Sequence, residues 1–426
     1  MPGKARVVVV GAGFAGLTVV RALRGRQVEM VLVDRHNYHT FTPLLYQVAS
    51  ALLDPSEVAH PIRGLVRPIH NLEVRMAEAT GIDLARRRLL TDVEPLAYDF
   101  LVLCTGSATN YFQIEGLADS AFGLKDLEQA LVLRNQVLRR FEEASWTEDP
   151  ERRRMLLTFA VVGGGPTGVE FSGALSELIR GVLAKDFPSV YIRETRILLL
   201  EAAPHLLAAF LPPLRESARR TLARRGVEVL LERTVSGAGE DHIELSDGER
   251  IDVGTVIWTA GVRAGDLAAT LAVEHGRGGT VKVGPTLQLA GHPEVFVIGD
   301  LAAVEQDGAQ LPQLIPPAMQ EAKHVARAIL RALAGERAEP FRYADPGMMA
   351  TIGRNAGVAE IGPIRMSGFA GWILWLAFHL LQIVTFRSKI VVLVNWAWNY
   401  LFLDRPVRLL VRTGGPQEET RGRPRS

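Results

Sequence analysis

The amino-acid sequence predicts an α/β protein with two doubly wound nucleotide-binding domains and a C-terminal pair of amphipathic helices. Three observations support this prediction. A glycine-rich loop joins a β-branched strand to an apolar helix at two separate places, and an uncharged, tryptophan-rich segment lies near the C-terminus. The length of 426 residues suggests about three domains. The formal net charge of +1 gives no field that would attract nucleic acid, so no nucleic-acid partner is expected.

The first glycine-rich loop follows residues 6–10, which have the length and composition of a buried parallel strand. Its G-x-G-x-x-G pattern lets the backbone approach a pyrophosphate at the N-terminus of the next helix. Asp34 closes the following strand, where a carboxylate can accept hydrogen bonds from ribose hydroxyls. The alternative is a glycine-rich turn that binds nothing. We therefore predict a Rossmann-like domain built on Gly11, Gly13 and Gly16.

The second loop repeats the pattern with Gly163, Gly165 and Gly168, again between a strand and a helix. Its acidic partner is Glu201, which lies beyond the usual spacing of about 20 residues. Residues 181–194 resemble an insertion that accounts for the excess. A carboxylate at this position repels a 2′-phosphate, so Glu201 favours NADH over NADPH. The alternative for Glu201 is a solvated strand end.

Two further stretches predict that the first domain is split. Residues 294–304 predict a strand that ends in Gly299 and Asp300 at the start of a helix; in flavoproteins with two dinucleotide sites this strand returns to the FAD domain. Residues 100–112, with Thr105 and Gly106, resemble the connecting strand of the same domain. We therefore expect a split FAD-binding domain with an NADH-binding domain inserted between its halves.

The single cysteine restricts the chemistry. Cys104 cannot form the intramolecular cysteine pair that disulfide reductases and sulfide:quinone reductases use, and its apolar surroundings suggest a small core residue. No metal-ligand spacing or iron–sulfur motif occurs in the sequence. The flavin is the only visible redox centre, so electrons from NADH are expected to pass directly to an acceptor that reaches the isoalloxazine. One cysteine and no secretory signal fit a reducing cytoplasm.

The chain resembles the type II NADH dehydrogenases, single-subunit FAD-containing NADH:quinone oxidoreductases that do not pump protons. The resemblance covers about residues 4–412. It rests on "VVVVGAGFAGL", "VDRHNYHTFTPLLYQVASALLDP", "VVGGGPTGVEFSGALSEL", "WTAGVRA", "VIGDLA", "PPAMQEAKH" and the tryptophan-rich C-terminal segment. Residues 34–55 are the most specific to that family.

The resemblance implies a set of residues for each ligand. FAD would be held by Gly11, Ala12, Gly13, Phe14, Ala15, Gly16, Asp34, Arg35, Thr42, Ala79, Thr105, Gly106, Gly299, Asp300, Met319 and Gln320. NADH would be held by Gly163, Gly165, Pro166, Thr167, Gly168, Glu201 and Gly261. Glu170 would lie near the nicotinamide and flavin and relay protons; its alternative is a first-turn carboxylate that complements the helix dipole.

The quinone motif of that family, Ala-Gln-x-Ala-x-Gln, is matched here by Gln320 and Ala322 and departs at Met319 and His324. Gln320 would hydrogen-bond a quinone carbonyl. His324 would donate a proton to quinol or be a neutral histidine on the helix surface. The departures leave open whether the quinone is ubiquinone or menaquinone.

The C-terminal segment is expected to lie on a membrane. Residues 368–386 carry no formal charge, yet polar residues recur at helical spacing there, which predicts amphipathic helices lying in one leaflet. Four tryptophans favour the interface: Trp372, Trp375, Trp396 and Trp398. Residues 361–412 have a local charge of +5, which suits anionic lipid. A membrane span and a buried core or dimer interface are the alternatives.

The sequence therefore predicts a peripheral, monotopic NADH:quinone oxidoreductase, homodimeric, on the cytoplasmic face of the cell membrane, with no metal. The rivals are a soluble NADH oxidase or ferredoxin reductase, and a membrane-attached NADH-sensing scaffold. The expected order is residues 1–120 for the first part of the FAD-binding domain, 121–275 for the NADH-binding domain, 276–345 for the second FAD part, 346–412 for the membrane-anchoring region and 413–426 for a disordered tail.

Overall fold

The structure, a computed structural model, describes residues 4–188, 192–405 and 407–410. The chain forms two compact units, each assembled from three segments. Unit 1 comprises Met1–Thr40, Ala59–Asn110 and Val262–Pro346, and unit 2 comprises Phe41–Val58, Tyr111–Gly261 and Gly347–Ser426. Residues 41–58 and the C-terminal region thus group with unit 2, a division that the expected domain order did not contain. The expected disordered tail, 413–426, lies outside the described residues.

The helices and the strands of the three largest described sheets are labelled in chain order. The α-helices of five or more described residues are α1 (Phe14–Ala22), α2 (Leu45–Ala49), α3 (Ile62–Val66), α4 (Leu127–Trp146), α5 (Pro150–Leu156), α6 (Pro166–Leu178), α7 (Pro212–Arg224), α8 (Ile315–Leu333), α9 (Gly368–Gln382) and α10 (Phe386–Phe402). The strands are β1 (Ala5–Val10), β2 (Val28–Asp34), β3 (Leu72–Met76), β4 (Phe100–Leu103), β5 (Ala121–Gly123), β6 (Thr158–Val162), β7 (Arg196–Glu201), β8 (Val227–Leu231), β9 (Thr255–Trp258), β10 (Gln288–Leu289), β11 (His292–Val297), β12 (Met348–Gly353), β13 (Ala356–Ile361) and β14 (Ile364–Ser367).

Unit 1 is organised around a six-stranded sheet in the order β10-β11-β4-β1-β2-β3. All neighbouring strands are parallel except the antiparallel pair of β10 and β11. Strand β1 is buried from Val7 to Val10, as expected for a central strand covered on both faces. Helices α1 and α8 pack against each other, so the glycine-loop helix and the helix with the expected quinone motif belong to one core.

Unit 2 contains a second doubly wound sheet, in the all-parallel order β5-β9-β6-β7-β8. Strand β6 is buried at every position and leads directly into the second glycine loop and α6. The expected insertion begins as a π-helical turn, Ile179–Leu183, that continues α6, followed by the short helix Ala184–Asp186. These elements account for the long chain distance between the loop and Glu201.

The C-terminal part of unit 2 begins with the antiparallel sheet β12-β13-β14 and ends with α9 and α10. Strand β12 packs against α6, and α9 packs against β13. The approach of α9 is close, because a Cβ on Gly371 would lie 2.6 Å from the Gly357 carbonyl oxygen. The helix pair is therefore docked on the other elements of unit 2.

Helices α9 and α10 turn the face that carries most of their buried polar residues towards the protein and leave many large apolar side chains exposed. The buried positions are Gly371, Trp375, His379, Ser388, Val392 and Asn399. The exposed large apolar or aromatic side chains are Phe369, Ile373, Phe378, Leu381, Phe386, Ile390, Leu393, Val394, Trp398, Tyr400, Leu401 and Phe402. Trp375, expected with the other tryptophans at a membrane interface, is only 1% exposed. Among the described residues, no helix combines the length and apolarity needed to cross a bilayer.

Candidate functional site

The first glycine loop has the backbone geometry of a phosphate-approach turn. Gly11 has φ +103°, and a Cβ on Gly16 would lie 1.8 Å from the Gly11 carbonyl oxygen, so both positions require glycine. A Cβ on Gly13 would meet no protein atom within 4 Å. Gly13 is also the N-cap of α1 and makes no side-chain cap, which leaves the first N–H groups of this helix for an anionic ligand.

The Asp34 carboxylate is fixed beside this loop by two backbone donors. Oδ2 accepts from the Ala12 N–H at 2.6 Å, and Oδ1 accepts from the His36 N–H at 2.8 Å. The sequence analysis missed His39, which is buried and whose Nδ1 lies 2.9 Å from the Ala12 carbonyl oxygen. Burial lowers the pKa of His39 to about 4, so the ring is neutral at pH 7 and donates through Nδ1–H. The side chains of Asp34 and His39 thus fix Ala12, the residue between Gly11 and Gly13, through its N–H and its carbonyl group.

The second loop repeats this geometry. Gly163 has φ +114°, and a Cβ on Gly168 would lie 1.9 Å from the Gly163 carbonyl oxygen, whereas one on Gly165 would meet nothing within 4 Å. Glu201 Oε2 accepts from the Gly164 N–H at 2.6 Å, and its Oε1 accepts from the Ala203 N–H at 2.7 Å. Glu201 is therefore held as Asp34 is held, which opposes its reading as a solvated strand end.

The remaining residues expected around the second loop also lie in unit 2. Pro166 and Thr167 open α6, with Pro166 at a position where its missing N–H costs no helical hydrogen bond. Gly261 has φ +73°, and a Cβ there would lie 2.4 Å from the Phe112 ring. The Thr259 hydroxyl donates to the Val162 carbonyl at 2.9 Å and fixes the end of β9 next to the loop.

A second group in unit 1 surrounds the turn that follows β11. The Ser107 hydroxyl donates to Asp300 Oδ2 at 2.5 Å, and Gln313 Nε2 donates to the Asp300 carbonyl at 2.6 Å. Glu321 Oε2 accepts from the Gly299 N–H at 2.6 Å, and burial raises the pKa of Glu321 to about 7. Asp300 was predicted from the sequence, whereas its partners were not: Ser107 lies 193 residues away, and Gln313, 13 residues away, belongs to no motif.

The other residues expected to hold FAD are distributed over both units. In unit 1, Phe14 and Ala15 begin α1, Thr105 and Gly106 follow β4, and Ala79 opens the strand Ala79–Asp83. Arg35 is exposed, and its Nε donates to His36 at 3.1 Å. Thr42 belongs to unit 2, where it begins the 3-10 turn Thr42–Leu44.

Glu170 is a buried carboxyl in unit 2. Its Oε1 accepts from the Trp375 indole N–H at 3.1 Å and from the Thr351 backbone N–H at 3.2 Å. Burial raises the pKa of Glu170 to about 8, so the group keeps its proton at pH 7. Glu170 follows the first turn of α6, which contains no acidic residue, so the helix-dipole alternative does not describe its position.

Aromatic and amide side chains lie close to Glu170 in the same unit. Trp396 Nε1 donates to Gln47 Oε1 at 2.7 Å, and Gln47 Nε2 donates to the Tyr46 hydroxyl at 2.8 Å. Tyr46, Gln47, Trp375 and Trp396 line a cavity of about 60 Å³. The C-terminal helices thus supply two indole donors to the polar interior of unit 2.

In the quinone-motif helix α8, the Gln320 carboxamide pairs with the backbone of Ala344. Its Nε2 donates to the Ala344 carbonyl at 2.7 Å, and its Oε1 accepts from the Ala344 N–H at 3.0 Å. Met319 precedes it and is half-buried. His324 is buried, with Nε2 2.9 Å from the Glu339 carbonyl oxygen, and burial lowers the pKa of His324. His324 is therefore neutral but is not a surface residue.

Comparison with known proteins supports the sequence resemblance. Residues 5–322 match the pyridine nucleotide-disulphide oxidoreductase family. The chain is 40% identical to the type II NADH:quinone oxidoreductase Ndh of Mycobacterium tuberculosis, over 95% of this chain and 90% of that protein. It is 30% identical to the internal alternative NAD(P)H-ubiquinone oxidoreductase A1 of Arabidopsis thaliana, over 94% of this chain and 84% of that protein.

A solved structure has the same fold. The structure of NDH2 from Plasmodium falciparum in complex with NADH has a TM-score of 0.87 and 18% identity, and the match covers 96% of this chain and all of that chain. The α/β fold expected from the two glycine loops is thereby confirmed. The sequence matches settle the family: this chain is a member of the pyridine nucleotide-disulphide oxidoreductases and, within them, of the type II NADH:quinone oxidoreductases.

Proposed function

We propose that this protein transfers two electrons from NADH to a quinone through bound FAD, without pumping protons. The observation that carries the proposal is the 40% identity to a type II NADH:quinone oxidoreductase over nearly the whole length of both chains. Relatives at 36% and 30% identity carry quinone oxidoreductase names as well. The expected enzyme class and cofactors, FAD and NADH, are confirmed at the level of the family.

The residues of unit 1 fit an FAD site. The open space above Gly13 and the uncapped first turn of α1 suit a pyrophosphate, and the fixed carboxylate of Asp34 suits ribose hydroxyls. When bound, FAD supplies a redox centre that accepts a hydride and returns two electrons to the acceptor. The chain itself binds and orients the reactants and keeps water away from them.

The residues of unit 2 fit NADH in the same way. Gly165 leaves space for the pyrophosphate, and Glu201 presents a carboxylate whose oxygens are oriented by the Gly164 and Ala203 N–H groups. A 2′-phosphate would face this negative charge, which supports NADH as the donor. The assignment of FAD to the first loop and NADH to the second is part of the proposal.

Glu170 is the proposed proton donor for quinone reduction. A carboxyl with its pKa raised to about 8 is protonated at pH 7 and can give that proton to a reduced quinone. For Gln320, the proposed role is to orient the quinone carbonyl. Because its carboxamide bonds to Ala344 in this structure, that role requires an exchange of one of these hydrogen bonds for the quinone.

Anaerobic stopped-flow absorbance of the flavin tests the function. We expect NADH to bleach the flavin and a quinone analogue to restore its colour, both rapidly. Gln320→Ala should slow the recovery by about tenfold, the loss of one hydrogen bond to the reacting group, and leave the bleaching unchanged. Bleaching without recovery would indicate another acceptor or an NADH sensor, and equal loss in both steps would remove Gln320 from the quinone site.

We also propose that α9 and α10 form a monotopic membrane attachment, which binds one surface of the bilayer. Large apolar side chains on these helices face away from the protein, and cationic residues such as Arg387 and Lys389 lie among them. A long-tailed quinone stays in lipid, so its reductase gains access to substrate by resting on the bilayer. Attachment to the cytoplasmic face and a homodimeric state are further predictions.

Flotation with anionic vesicles tests this membrane attachment. The double substitution Leu381→Lys and Phe386→Lys should reduce the vesicle-bound fraction by about tenfold or more, because it replaces apolar contact at two of the most exposed positions, 72% and 78%. Val93→Lys, at an exposed apolar residue outside the helix pair, is the matched control and should float like the unchanged protein. Equal flotation of all three proteins would contradict the proposal.

A further inference from the structure

We propose that Trp375 is a positioning residue for the proton-donating step. Its indole N–H holds Oε1 of Glu170 and thereby directs the proton of this carboxyl to Oε2. The C-terminal helix pair then does more than rest on lipid, because it supplies part of the proton-donating site. This inference rests on the proposed function and deepens it.

The hydrogen bonds at Glu170 converge on one oxygen. Trp375 Nε1 and the Thr351 N–H both donate to Oε1, at 3.1 Å and 3.2 Å. In a neutral carboxyl the carbonyl oxygen is the better acceptor, so the oxygen that receives two N–H donors is the one without the proton. The acidic proton therefore resides on Oε2, on the opposite side of the carboxyl from the indole.

The indole is itself held in place by its surroundings. Trp375 is 1% exposed, and the His379 ring stacks on it at 4.0 Å between centroids with a 24° interplanar angle. His379 Nδ1 lies 2.8 Å from the Trp375 carbonyl oxygen. Burial lowers the pKa of His379 to about 4, so at pH 7 this histidine is a neutral donor. The Tyr46 ring meets the indole in a T-shaped arrangement, with 6.2 Å between ring centroids, and the Trp396 ring is tilted against it at 6.0 Å between centroids.

The titratable groups that surround Glu170 are either neutral or gathered around Glu177. Tyr46 on α2 is buried, and burial raises its pKa, so it is neutral. Glu177, two turns further along α6, pairs with Arg405 at 3.3 Å and with Arg225 at 2.7 Å. Arg354, in the turn after β12, donates its backbone N–H to Glu177. His379, on α9, is neutral at pH 7, as noted above. The indole N–H is therefore a contact that can be removed without changing any charge near Glu170.

The consequence is a defined change in pH dependence. Proton donation requires the acid form of Glu170, so the rate of quinone reduction falls as the pH rises through the pKa of this group. A donor to a carboxylate favours its charged form and lowers the pKa. Removal of the indole N–H therefore raises the pKa and moves the alkaline limb of the rate profile to higher pH.

The test is stopped-flow flavin reoxidation by a quinone analogue across pH in the full-length FAD-loaded protein. We expect Trp375→Phe, which keeps a ring and loses the N–H, to move the alkaline limb upward by about half a pH unit or more. Its maximal rate should fall at least about threefold, since the proton is less well directed. Reduction by NADH should be unchanged. Trp146→Phe, at an indole that is 80% exposed on α4, is the control and should show no shift.

Two further variants separate the possible failures. In Glu170→Gln the alkaline limb should disappear; if it persists, Glu170 is not the proton donor, and the inference falls with that role. His379→Phe keeps a stacked ring and removes the donor to the Trp375 carbonyl. The alkaline limb of its pH–rate profile should therefore also move to higher pH, but by a smaller amount than in Trp375→Phe. This variant tests the inference if Trp375→Phe loses its flavin. The proposal would be overturned if the alkaline limb of the pH–rate profile were unchanged in a flavin-loaded Trp375→Phe protein. If Trp375→Phe does not fold, an unchanged alkaline limb in His379→Phe would overturn it instead. A wild-type protein without quinone reduction would instead reject the proposed function.

Discussion

Replacing Gly16 by alanine should abolish FAD binding, whereas replacing Gly13 should leave the fold intact. A Cβ on Gly16 would lie 1.8 Å from the Gly11 carbonyl oxygen and 3.2 Å from the Cys104 sulfur. The carbonyl belongs to the loop, so the clash can be relieved only by moving the backbone that would approach the pyrophosphate in the proposed FAD site. Overpacking of this kind costs about 1–3 kcal/mol or more. The purified Gly16→Ala protein should therefore be colourless and melt at a lower temperature.

The neighbouring glycine provides the matched control. A Cβ on Gly13 has no protein atom within 4 Å, so Gly13→Ala should have the circular dichroism spectrum of the unchanged protein. Any loss of FAD in this variant would come from contact between the new methyl group and the ligand. A Gly16→Ala protein with a full complement of FAD would show that the first loop is not the FAD site.

The corresponding glycines of unit 2, Gly168 and Gly165, test whether the second loop binds NADH while the first binds FAD. A Cβ on Gly168 would lie 1.9 Å from the Gly163 carbonyl oxygen, while one on Gly165 meets nothing within 4 Å. We expect Gly168→Ala to remain yellow and to be bleached by NADH at least about a hundredfold more slowly. Gly165→Ala should fold normally and raise the NADH concentration needed for half-maximal bleaching. Loss of flavin from Gly168→Ala would assign FAD to the second loop instead.

Both glycine loops were predictable because all their parts are close together in the sequence. The strand, the turn and the helix follow one another, and their backbone geometry depends on local sterics that the glycines satisfy. The acidic partners, Asp34 and Glu201, close the next strand of the sheet and were predicted from that position and from their spacing to the loop. Even the insertion before Glu201 could be recognised, since it lengthens a spacing without removing any part of the pattern.

The contacts that define Glu170 could not be predicted in this way. Trp375 is separated from Glu170 by most of the C-terminal half of the chain, and its tryptophan-rich context favoured a lipid interface. Only the docking of α9 and α10 reveals that two of the four tryptophans, Trp375 and Trp396, donate their indole N–H groups to buried side chains. The contact of Asp300 with Ser107, across 193 residues, was missed for the same reason. The pairing of Gln320 with Ala344, 24 residues apart, was missed because no motif indicates it. Periodicity identifies a polar stripe but does not say which surroundings it faces.

Replacement of Arg405, a buried arginine, should destabilise the packing of the C-terminal region more than replacement of a partly exposed arginine near it. The side chain is 1% exposed and follows α10. Its Nη1 donates to the carbonyl oxygens of Ser50 at 2.7 Å and Ala174 at 3.2 Å, and its Nη2 pairs with Glu177 at 3.3 Å. Burial lowers its pKa to about 10, so the guanidinium is still charged at pH 7.

Arg405→Met removes these contacts and takes the guanidinium donor from the Ser50 carbonyl, while the Ala174 carbonyl keeps its partner within α6. A buried carbonyl without a donor costs about 1–3 kcal/mol, and breaking a buried ion pair costs about 3–5 kcal/mol. The expected loss is about 3 kcal/mol, because Glu177 keeps its bond to Arg225. The melting temperature should fall by roughly 6–12 °C. Arg408→Met is the control: its side chain is 25% exposed and pairs with Asp186 and Asp404, so its loss should cost under about 1 kcal/mol.

The same substitution should also change catalysis, because Arg405 binds the helix that carries Glu170. Ala174 and Glu177 lie on α6 one and two turns beyond Glu170, so loss of the guanidinium loosens the contact between this helix and the end of α10. Quinone reduction in flavin-loaded Arg405→Met should therefore slow more than reduction by NADH. Arg405→Lys, which keeps the charge but not the planar fork, should give an intermediate effect. If both half-reactions slow equally, Arg405 stabilises unit 2 as a whole and has no particular influence on the proton-donating site.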